Sequence, residues 1–320
     1  MKRCLIIYNE PSPDALPDEL DVLDQVHFVE TALRELDYDV SLRGITDNFF
    51  REIAQISGAE YEFVFNLVES VGKKGEILYF IPALLNMHHI PYTGCSVEAT
   101  FITGSKVLAR NIMKSNGIPV AGGYNVSEAG KLTKGRKYIL KPVWEDGSLG
   151  ITEESVFTFD GVLPEIVRDK NDRHWFIEDF IEGREFNVSV KAGPAGPEML
   201  PPAEMIFHGY ADDLPRIVSY KAKWEEGTFQ YENSKRRFPD DLSPRLMKNI
   251  RDAVFGCWNI FGLKGYARVD MRVDADENVY VLEVNANPCI SPDSGFISAG
   301  LHAGFSNKDI IGDIIKDLNK

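Results

Sequence analysis

The chain has 320 residues, 44% hydrophobic and 26% charged, which is enough apolar material for two or three compact units. Its formal net charge of −14 argues against a general affinity for nucleic acid or an anionic membrane. The sequence has no signal peptide, no apolar run approaching about 18 residues and no Cys-x-x-Cys pair, so we expect a cytoplasmic protein with reduced thiols.

The N-terminal third alternates between apolar strands and amphipathic helices. Strand-like runs cover residues 4–8, 39–42 and 61–67, and helical spacing covers 22–36 and 48–56. This alternation predicts a parallel sheet with crossover helices, and such sheets bind ligands beyond the carboxyl ends of their strands. The loops there carry four candidate acids, each of which could instead be a solvated loop residue: Asp18, Glu19, Asp21 and Glu69.

The pattern changes after the first hundred residues. A predicted helix over 105–116 leads into a strand-rich segment with strands at 137–142, 175–181 and 185–190. A further helix is predicted over 244–261, between Pro244 and a following glycine. These changes predict an α/β domain over residues 1–101, a central α+β module over 102–190 and a C-terminal α+β module over 191–320.

Two strands near the C-terminus, on either side of the turn-rich segment 274–278, predict a β-hairpin. Because side chains alternate along a strand, Arg268 and Asp270 share one face. A turn centred near Asp276 and Glu277 places Asp270 opposite Glu283, with Cβ atoms about 5 Å apart. The same alternation predicts that Leu282 points to the face opposite that of Glu283.

Two facing carboxylates repel unless a proton or a cation lies between them. Asp270, Glu283 and Asn285 form an all-oxygen donor set of the kind that Mg²⁺ prefers. A solvated hairpin face is the alternative interpretation.

The sequence contains neither a Walker A motif nor a Gly-x-Gly-x-x-Gly loop after its first strand. Instead, the segment 145–151, with glycines at 147 and 150, follows the strand that carries Lys141. Backbone N–H groups of such a loop, together with the hydroxyl of Ser148, could bind an anion. A plain hairpin turn is the alternative, and Lys106 and Lys141 could be ordinary surface lysines.

The order of these elements along the chain resembles the ATP-grasp superfamily and, within it, the D-alanine–D-alanine ligases. The resemblance covers essentially the whole chain and implies a Rossmann-like N-terminal domain followed by two α+β modules that clasp ATP. It rests on Lys106, on Lys141 with its Gly-Ser loop, on Glu178-Asp179-Phe180-Ile181 with Glu185, and on Arg268-x-Asp270 followed by Glu283-x-Asn285.

The resemblance implies roles for individual residues on the nucleotide side. Lys106 and Lys141 would contact the ATP phosphates, and the loop of Ser148 would close over the γ-phosphate. Glu178 and the backbone near Ile181 match the segment that reads adenine, and Glu185 matches the carboxylate that binds the ribose. Asp270, Glu283 and Asn285 match the ligands of two Mg²⁺ ions, for which Mn²⁺ could substitute.

The resemblance also implies the reaction, an ADP-forming amide synthesis through an acyl phosphate. Arg268 stands where the family stabilises the tetrahedral oxyanion, and Lys223 and Ser294 stand where it holds the carboxylate of the acceptor. The expected partners are small amino acids or peptides, with neither nucleic acid nor membrane, and the family suggests a homodimer.

The substrate end departs from the family. Asp21 is the nearest match to the glutamate that holds the donor ammonium, Trp224 replaces a lid tyrosine and Cys289 replaces a glycine. Only one serine, Ser148, remains of a Ser-Ser pair in the phosphate loop. Three interpretations therefore stay open: a ligase for other amino acids or peptides, a D-alanine–D-alanine ligase of peptidoglycan synthesis, and a nucleotide-binding regulator without turnover.

Overall fold

The computed structural model describes residues 2–56, 58 and 60–319. Strands β1 (Lys2–Asn9), β2 (Tyr38–Ile45) and β3 (Phe63–Leu67) form the first sheet, in the order β2-β1-β3. Both pairings are parallel, as predicted. Helix α1 (Pro17–Glu35) packs on one face of this sheet. The helices on the other face are α2 (Phe49–Ala54) and α3 (Phe80–Met87).

Two helices follow in the chain, α4 (Val97–Gly104) and α5 (Lys106–Ser115), of which only α5 is predicted by the sequence. Ser105 accepts a hydrogen bond from the backbone N–H of Leu108 and so caps α5 directly beside Lys106. The cap therefore fixes the start of α5, whose first residue is Lys106, the first of the two predicted phosphate-binding lysines.

The second sheet is antiparallel and has four strands in the order β4-β7-β5-β6. Its buried face, with Leu140 and Ile177, packs against Val167 of the short helix α6 (Glu165–Arg168). The strands are β4 (Gly123–Asn125), β5 (Lys137–Pro142), β6 (Val156–Thr158) and β7 (Trp175–Asp179).

The third sheet has six antiparallel strands, ordered β11-β10-β8-β12-β13, with β9 paired to β8. Short helices α7 (Tyr220–Trp224) and α8 (Phe229–Asn233) lie between β10 and β11 in the chain. The strands are β8 (Arg184–Gly193), β9 (Gly196–Met199), β10 (Ala203–Phe207), β11 (Ser234–Arg237), β12 (Tyr266–Val273) and β13 (Val279–Asn285).

Helix α9 (Pro244–Phe261) covers the inner face of this sheet and has the predicted bounds. Ser243 caps its first turn, and Gly262 ends it in the left-handed conformation, with φ +59°. The last two helices are α10 (Gly295–His302) and α11 (Asn307–Ile314). Helix α11 packs against α1, so the C-terminal segment is attached to the first sheet. No helix in the described ranges is long and apolar enough to cross a membrane.

In the hairpin of β12 and β13, Asp270 pairs with Glu283 as predicted, and nearer the turn Val273 pairs with Val279. The predicted orientation of Leu282 is wrong. The register shifts by one residue after Asp270, so that Met271 pairs with Val281, and this β-bulge lets Leu282 line the same cavity as Glu283.

Candidate active site

A cleft of about 440 Å³ lies between the second and third sheets. The residues that the family resemblance predicts for the site all line it except Asn285, from Asp21 on α1 to Ser294 at the start of α10. Of the four candidate acids in the N-terminal loops, only Asp21 lines the cleft, and Asp18, Glu19 and Glu69 do not. The fold therefore gathers residues that are far apart in the sequence, while the role of each stays a prediction at this point.

Lys106 forms the centre of the first charge cluster. Its Nζ lies 2.8 Å from Asp146 Oδ1 and 3.0 Å from Glu283 Oε2, and it donates to the carbonyl of Glu145 at 2.6 Å. Burial opposes the charged form of Lys106, but the two carboxylates outweigh burial and raise the pKa of the amine. Burial likewise opposes the charged form of Glu283, but Lys106, together with Arg268, outweighs it and lowers that pKa to about 2. Both groups are therefore ionised at neutral pH.

Lys141 and Glu178 form a second buried pair, with Nζ 2.6 Å from Oε2. Lys141 is 9% exposed and Lys106 is 8% exposed, so the interpretation of either as an ordinary surface lysine is wrong. A buried ion pair contributes little net stability, because desolvation offsets its attraction. Since stability does not explain two such pairs at the wall of a cavity, we interpret them as groups that bind a ligand.

Arg272 is a site residue that the sequence analysis missed. Its Nη1 donates to Glu185 Oε2 at 2.9 Å, and its Nε donates to the carbonyl of Ile181 at 2.6 Å. The guanidinium thus fixes both the predicted ribose carboxylate and the predicted adenine segment. The sequence could have indicated it, because the alternation that places Arg268 and Asp270 on one face of β12 also places Arg272 on that face.

Arg268 binds Asp270 in a bidentate manner. Its Nε donates to Oδ1 and its Nη2 donates to Oδ2, each at 2.7 Å. Burial opposes the charge of Arg268, but Asp270 and Glu283 outweigh burial and raise its pKa. The arginine is therefore a fixed cation, held rigidly by a bidentate contact, at the wall of the cleft.

The residues proposed for Mg²⁺ fit a hard cation only in part. Asp270 and Glu283 supply facing carboxylates in register, but Arg268 occupies both oxygens of Asp270. Asn285 does not line the cleft with them, and its Oδ1 accepts the backbone N–H of Asn287 at 2.9 Å. The described residues contain no group of three or more His, Cys, Asp or Glu side chains suited to a metal. A bound cation would therefore have to share these oxygens with Arg268 and Lys106 and take further ligands from the nucleotide.

The predicted phosphate loop lies against helix α7. Gly147 and Ser148 both have φ +65°, a left-handed conformation that is costly at the serine. Ser148 Oγ donates to the carbonyl of Val218 at 2.7 Å, and Trp224 Nε1 donates to the carbonyl of Gly147 at 2.9 Å. The serine hydroxyl and the indole N–H therefore link the loop to α7 and to the segment just before it.

An acidic group lies at the substrate end of the cleft. Gln25 Nε2 bridges Asp21 Oδ2 at 3.1 Å and Glu69 Oε1 at 2.8 Å, and Cys289 Sγ donates to Asp21 at 3.0 Å. Burial raises the pKa of Glu69 to about 7, and the charge of Asp21 adds to this increase. Burial together with these two acids also raises the pKa of Cys289, so its thiol stays protonated. Glu69 itself does not line the cleft, and it is half-buried and hydrogen-bonded to Gln25.

Two further residues define the other side of this end. Ser294 Oγ accepts the backbone N–H of Ile297 and caps α10. Arg236, which the sequence analysis also missed, lines the cleft from β11 and donates from Nη1 to the carbonyl of Asp293 at 2.9 Å and to Ser298 at 3.0 Å. The substrate end is therefore bordered by carboxylates on one side and a guanidinium on the other.

Comparison with known proteins gives a consistent assignment. The profile of the family described as "D-ala D-ala ligase C-terminus" matches residues 127–316. The D-alanine–D-alanine ligase of Carboxydothermus hydrogenoformans is 29% identical over 249 residues, which cover 73% of this chain and 75% of that protein.

Solved structures share the fold across almost the whole chain. The VanG D-Ala:D-Ser ligase from Enterococcus faecalis has a TM-score of 0.73 at 17% identity and covers 98% of both chains. The D-alanine–D-alanine ligase from Bacillus anthracis, in complex with ATP, has a TM-score of 0.69 at 18% identity and covers 99% of this chain and 97% of that one. Since the profile spans more than half of the sequence, the chain belongs to the D-alanine–D-alanine ligase family, and the predicted ATP-grasp fold and ATP-dependent carboxylate–amine ligase class are confirmed.

Proposed function

We propose that the protein joins the carboxylate of an amino acid or peptide to an amine, with ATP converted to ADP through an acyl phosphate. The observation that carries the proposal is the presence of Arg268 in the same cleft as Lys106 and Lys141. The two lysines suffice to bind phosphates, whereas Arg268, a fixed cation at the wall of the same cleft, is suited to stabilise negative charge that develops on a reacting group. The arrangement therefore favours a ligase over a regulator without turnover.

In the first step the donor carboxylate attacks the γ-phosphorus, and ADP leaves. Lys106 and Lys141 would neutralise the phosphate oxygens during this transfer, each exchanging a carboxylate partner for a phosphate. Glu178, Ile181 and Glu185 would hold the nucleoside, with Arg272 fixing the last two. The loop of Ser148 would cover the γ-phosphate and keep water from the acyl phosphate.

In the second step the amine attacks the acyl carbonyl and phosphate leaves. Arg268 would stabilise the tetrahedral oxyanion, and Lys223 and Ser294 would hold the carboxylate of the acceptor. Asp21 would take the ammonium of the donor, near the pair that it forms with Gln25. The amine must lose a proton before or during its attack, so the reaction should slow at low pH.

Asp270 and Glu283 would hold up to two Mg²⁺ ions, with Mn²⁺ as a substitute, and Asn285 would join them by giving up its contact with the backbone N–H of Asn287. When bound, such ions would neutralise the charge that develops on the phosphates during the transfer. The carboxylate of Glu283, whose pKa is about 2, remains available to a cation over the whole physiological range.

We further propose the domain boundaries, the cellular location and the oligomeric state of the enzyme. The three separate sheets support three units, with the proposed boundary at residue 101 inside α4 and the one at residue 190 inside β8, the strand that begins the third sheet. Four free cysteines, with no disulfide among the described residues, support a cytoplasmic location, and a homodimer is proposed from the family alone.

The test is ADP release from ATP and Mg²⁺ with D- and L-amino acids, offered singly and in pairs, and with the products read by mass. Turnover with formation of an amide supports the ligase. If D-alanyl-D-alanine is the main product, the enzyme is a D-alanine–D-alanine ligase of the kind used in peptidoglycan synthesis. If no pair of substrates releases ADP, the ligase proposal fails and the nucleotide-binding alternative replaces it.

A further inference from the structure

Arg236 has an unusual environment for a charged residue. Its guanidinium lines the cleft, but among the residues that the structure describes it forms no ion pair, and its buried Nε has no hydrogen-bond partner. Its neighbour Arg237 differs, because it pairs with Glu204 at 2.7 Å. A charge that is largely removed from water is costly unless an anion accompanies it. The missing anion can come from a ligand in the cleft.

The edge of the guanidinium that lacks a partner lies beside Gly295. A Cβ at position 295 would stand 3.7 Å from Arg236 Nη2 and 3.9 Å from Nε. Gly295 also lines the cleft and is the first residue of α10, where nothing in its backbone conformation requires glycine. Because position 295 has no side chain, atoms of this residue do not cover Nη2, while Nε itself is already buried. Nη2 is therefore the guanidinium nitrogen left for a carboxylate in the cleft.

The cations around the acceptor position differ in whether a carboxylate of the chain pairs with them. Arg268 is already neutralised by Asp270, whereas neither Lys223 nor Arg236 has a carboxylate within 4.0 Å in the described part of the chain. The proposed function uses Lys223 and Ser294 for one carboxylate of the acceptor. Arg236 then remains for a second anionic group.

We infer that Arg236 is a specificity-determining residue that binds a second carboxylate of the acceptor, so that the preferred amine substrate is an acidic amino acid. This inference rests on the proposed function, because it takes the cleft to hold an amine acceptor. Ser294 takes the α-carboxylate, as in the proposed function. The side-chain carboxylate reaches Nη2 of Arg236, beside Gly295.

The experiment compares acidic with neutral acceptors in two measurements. In the first, calorimetry follows the binding of D- and L-aspartate, D- and L-glutamate and D- and L-alanine to the protein loaded with a non-hydrolysable ATP analogue and Mg²⁺. In the second, kcat/KM is measured by ADP release with the same acceptors and the donor found in the substrate screen. The wild type should prefer an acidic acceptor by at least about tenfold, the usual minimum for a charge-assisted hydrogen bond.

Two variants test the residue by independent routes. Arg236→Gln removes the charge, and Gly295→Ala places a methyl group beside Nη2 while favouring the helix. Each should reduce kcat/KM for the acidic acceptor by about 10- to 100-fold and change it for the neutral acceptor by less than about threefold. Arg237→Gln removes the same charge from the same strand outside the cleft, leaves Arg184 paired with Glu204, and should keep the preference.

Three results would overturn the inference. The first is a wild type that binds neutral and acidic acceptors equally. The second is an equal loss for both classes in Arg236→Gln and Gly295→Ala, which would place Arg236 on the α-carboxylate. The third is an equal effect of Arg237→Gln. If calorimetry shows the acidic preference but no pair releases ADP, the ligase reaction fails while the anion site stands.

Discussion

The two halves of the cleft differ in how their charges are satisfied. On the nucleotide side each buried cation has a carboxylate of the chain beside it: Lys106 with Glu283, Lys141 with Glu178, and Arg272 with Glu185. On the substrate side, within the described residues, Arg236 has only a carbonyl and a hydroxyl as partners, and Glu69 has only the amide of Gln25.

This difference indicates how each half meets its ligand. The paired half is preorganised, since its side chains are held in place before a nucleotide arrives and need only exchange partners. The unpaired half depends on the ligand for its charge balance, so the chemistry of the substrate decides how well it binds. Substitutions on the two sides should therefore have different signatures, loss of rate in the first case and change of specificity in the second.

The largest effect is expected from Arg268→Ala. Removing a fixed oxyanion cation should reduce the rate of amide formation by about two to three orders of magnitude. Nucleotide binding should persist, because Lys106, Lys141 and Arg272 keep their partners. Product formation measured by mass, beside titration of a fluorescent ATP analogue, checks both parts. Loss of nucleotide binding in the same variant would show that the arginine is structural, acting as the counter-ion of Asp270.

Glu283→Gln should have the next largest effect. It removes the carboxylate that faces Asp270 and one of the anions beside Lys106. We expect the Mg²⁺ concentration for half-maximal ADP release to rise by at least about tenfold. Asp276→Asn, in the exposed turn of the same hairpin, is the control and should leave this concentration unchanged. An unaltered Mg²⁺ dependence in Glu283→Gln would remove the metal assignment.

Glu69 should make the stability of the fold depend on pH. Its pKa is raised from 4.5 to about 7 by burial, so the folded state favours the protonated acid. The contribution is fully present below pH 4.5 and is lost as the pH rises through 7. The free energy of unfolding should therefore fall by about 2 kcal/mol across this window because of Glu69.

Glu69→Gln tests this contribution, because the amide keeps the shape of the acid and does not titrate. Urea unfolding at pH 5 and pH 8 should show a smaller difference for the variant than for the wild type. Asp24→Asn, on an exposed position of α1, serves as the control for the loss of one carboxylate. An identical pH dependence in wild type and Glu69→Gln would mean that Glu69 is solvated and ionised in the fold.

The sequence predicts the nucleotide half of the site better than the substrate half, for a physical reason. The register of Asp270 with Glu283 follows from the alternation of one hairpin and its turn, which are local features. The same reasoning fails one residue away at Leu282, because a β-bulge is a feature that alternation cannot indicate.

The residues missed at the substrate end depend on long-range contacts. Arg236 lies in a short strand of four residues, and only the packing of β11 against β10 and of α10 against its guanidinium turns it toward the cleft. The sequence shows Glu69 only as a loop acid, and its pKa is raised by burial and by the charge of Asp21, which lies more than 40 residues away in the chain. Burial and neighbouring charge, rather than residue type, give these two residues their chemistry.

The smallest expected effect concerns the link between the phosphate loop and α7. Trp224→Phe keeps the ring but removes the donor to the carbonyl of Gly147, a hydrogen bond worth about 1 kcal/mol. A looser loop admits water to the acyl phosphate, so the ratio of ADP released to amide formed should rise by a few-fold. Ser148→Ala removes the neighbouring contact to Val218 and should raise the ratio further when combined with Trp224→Phe. A ratio that stays at one in both single variants and in the double variant would show that these two hydrogen bonds do not hold the cleft closed, and would leave loop closure to the nucleotide itself.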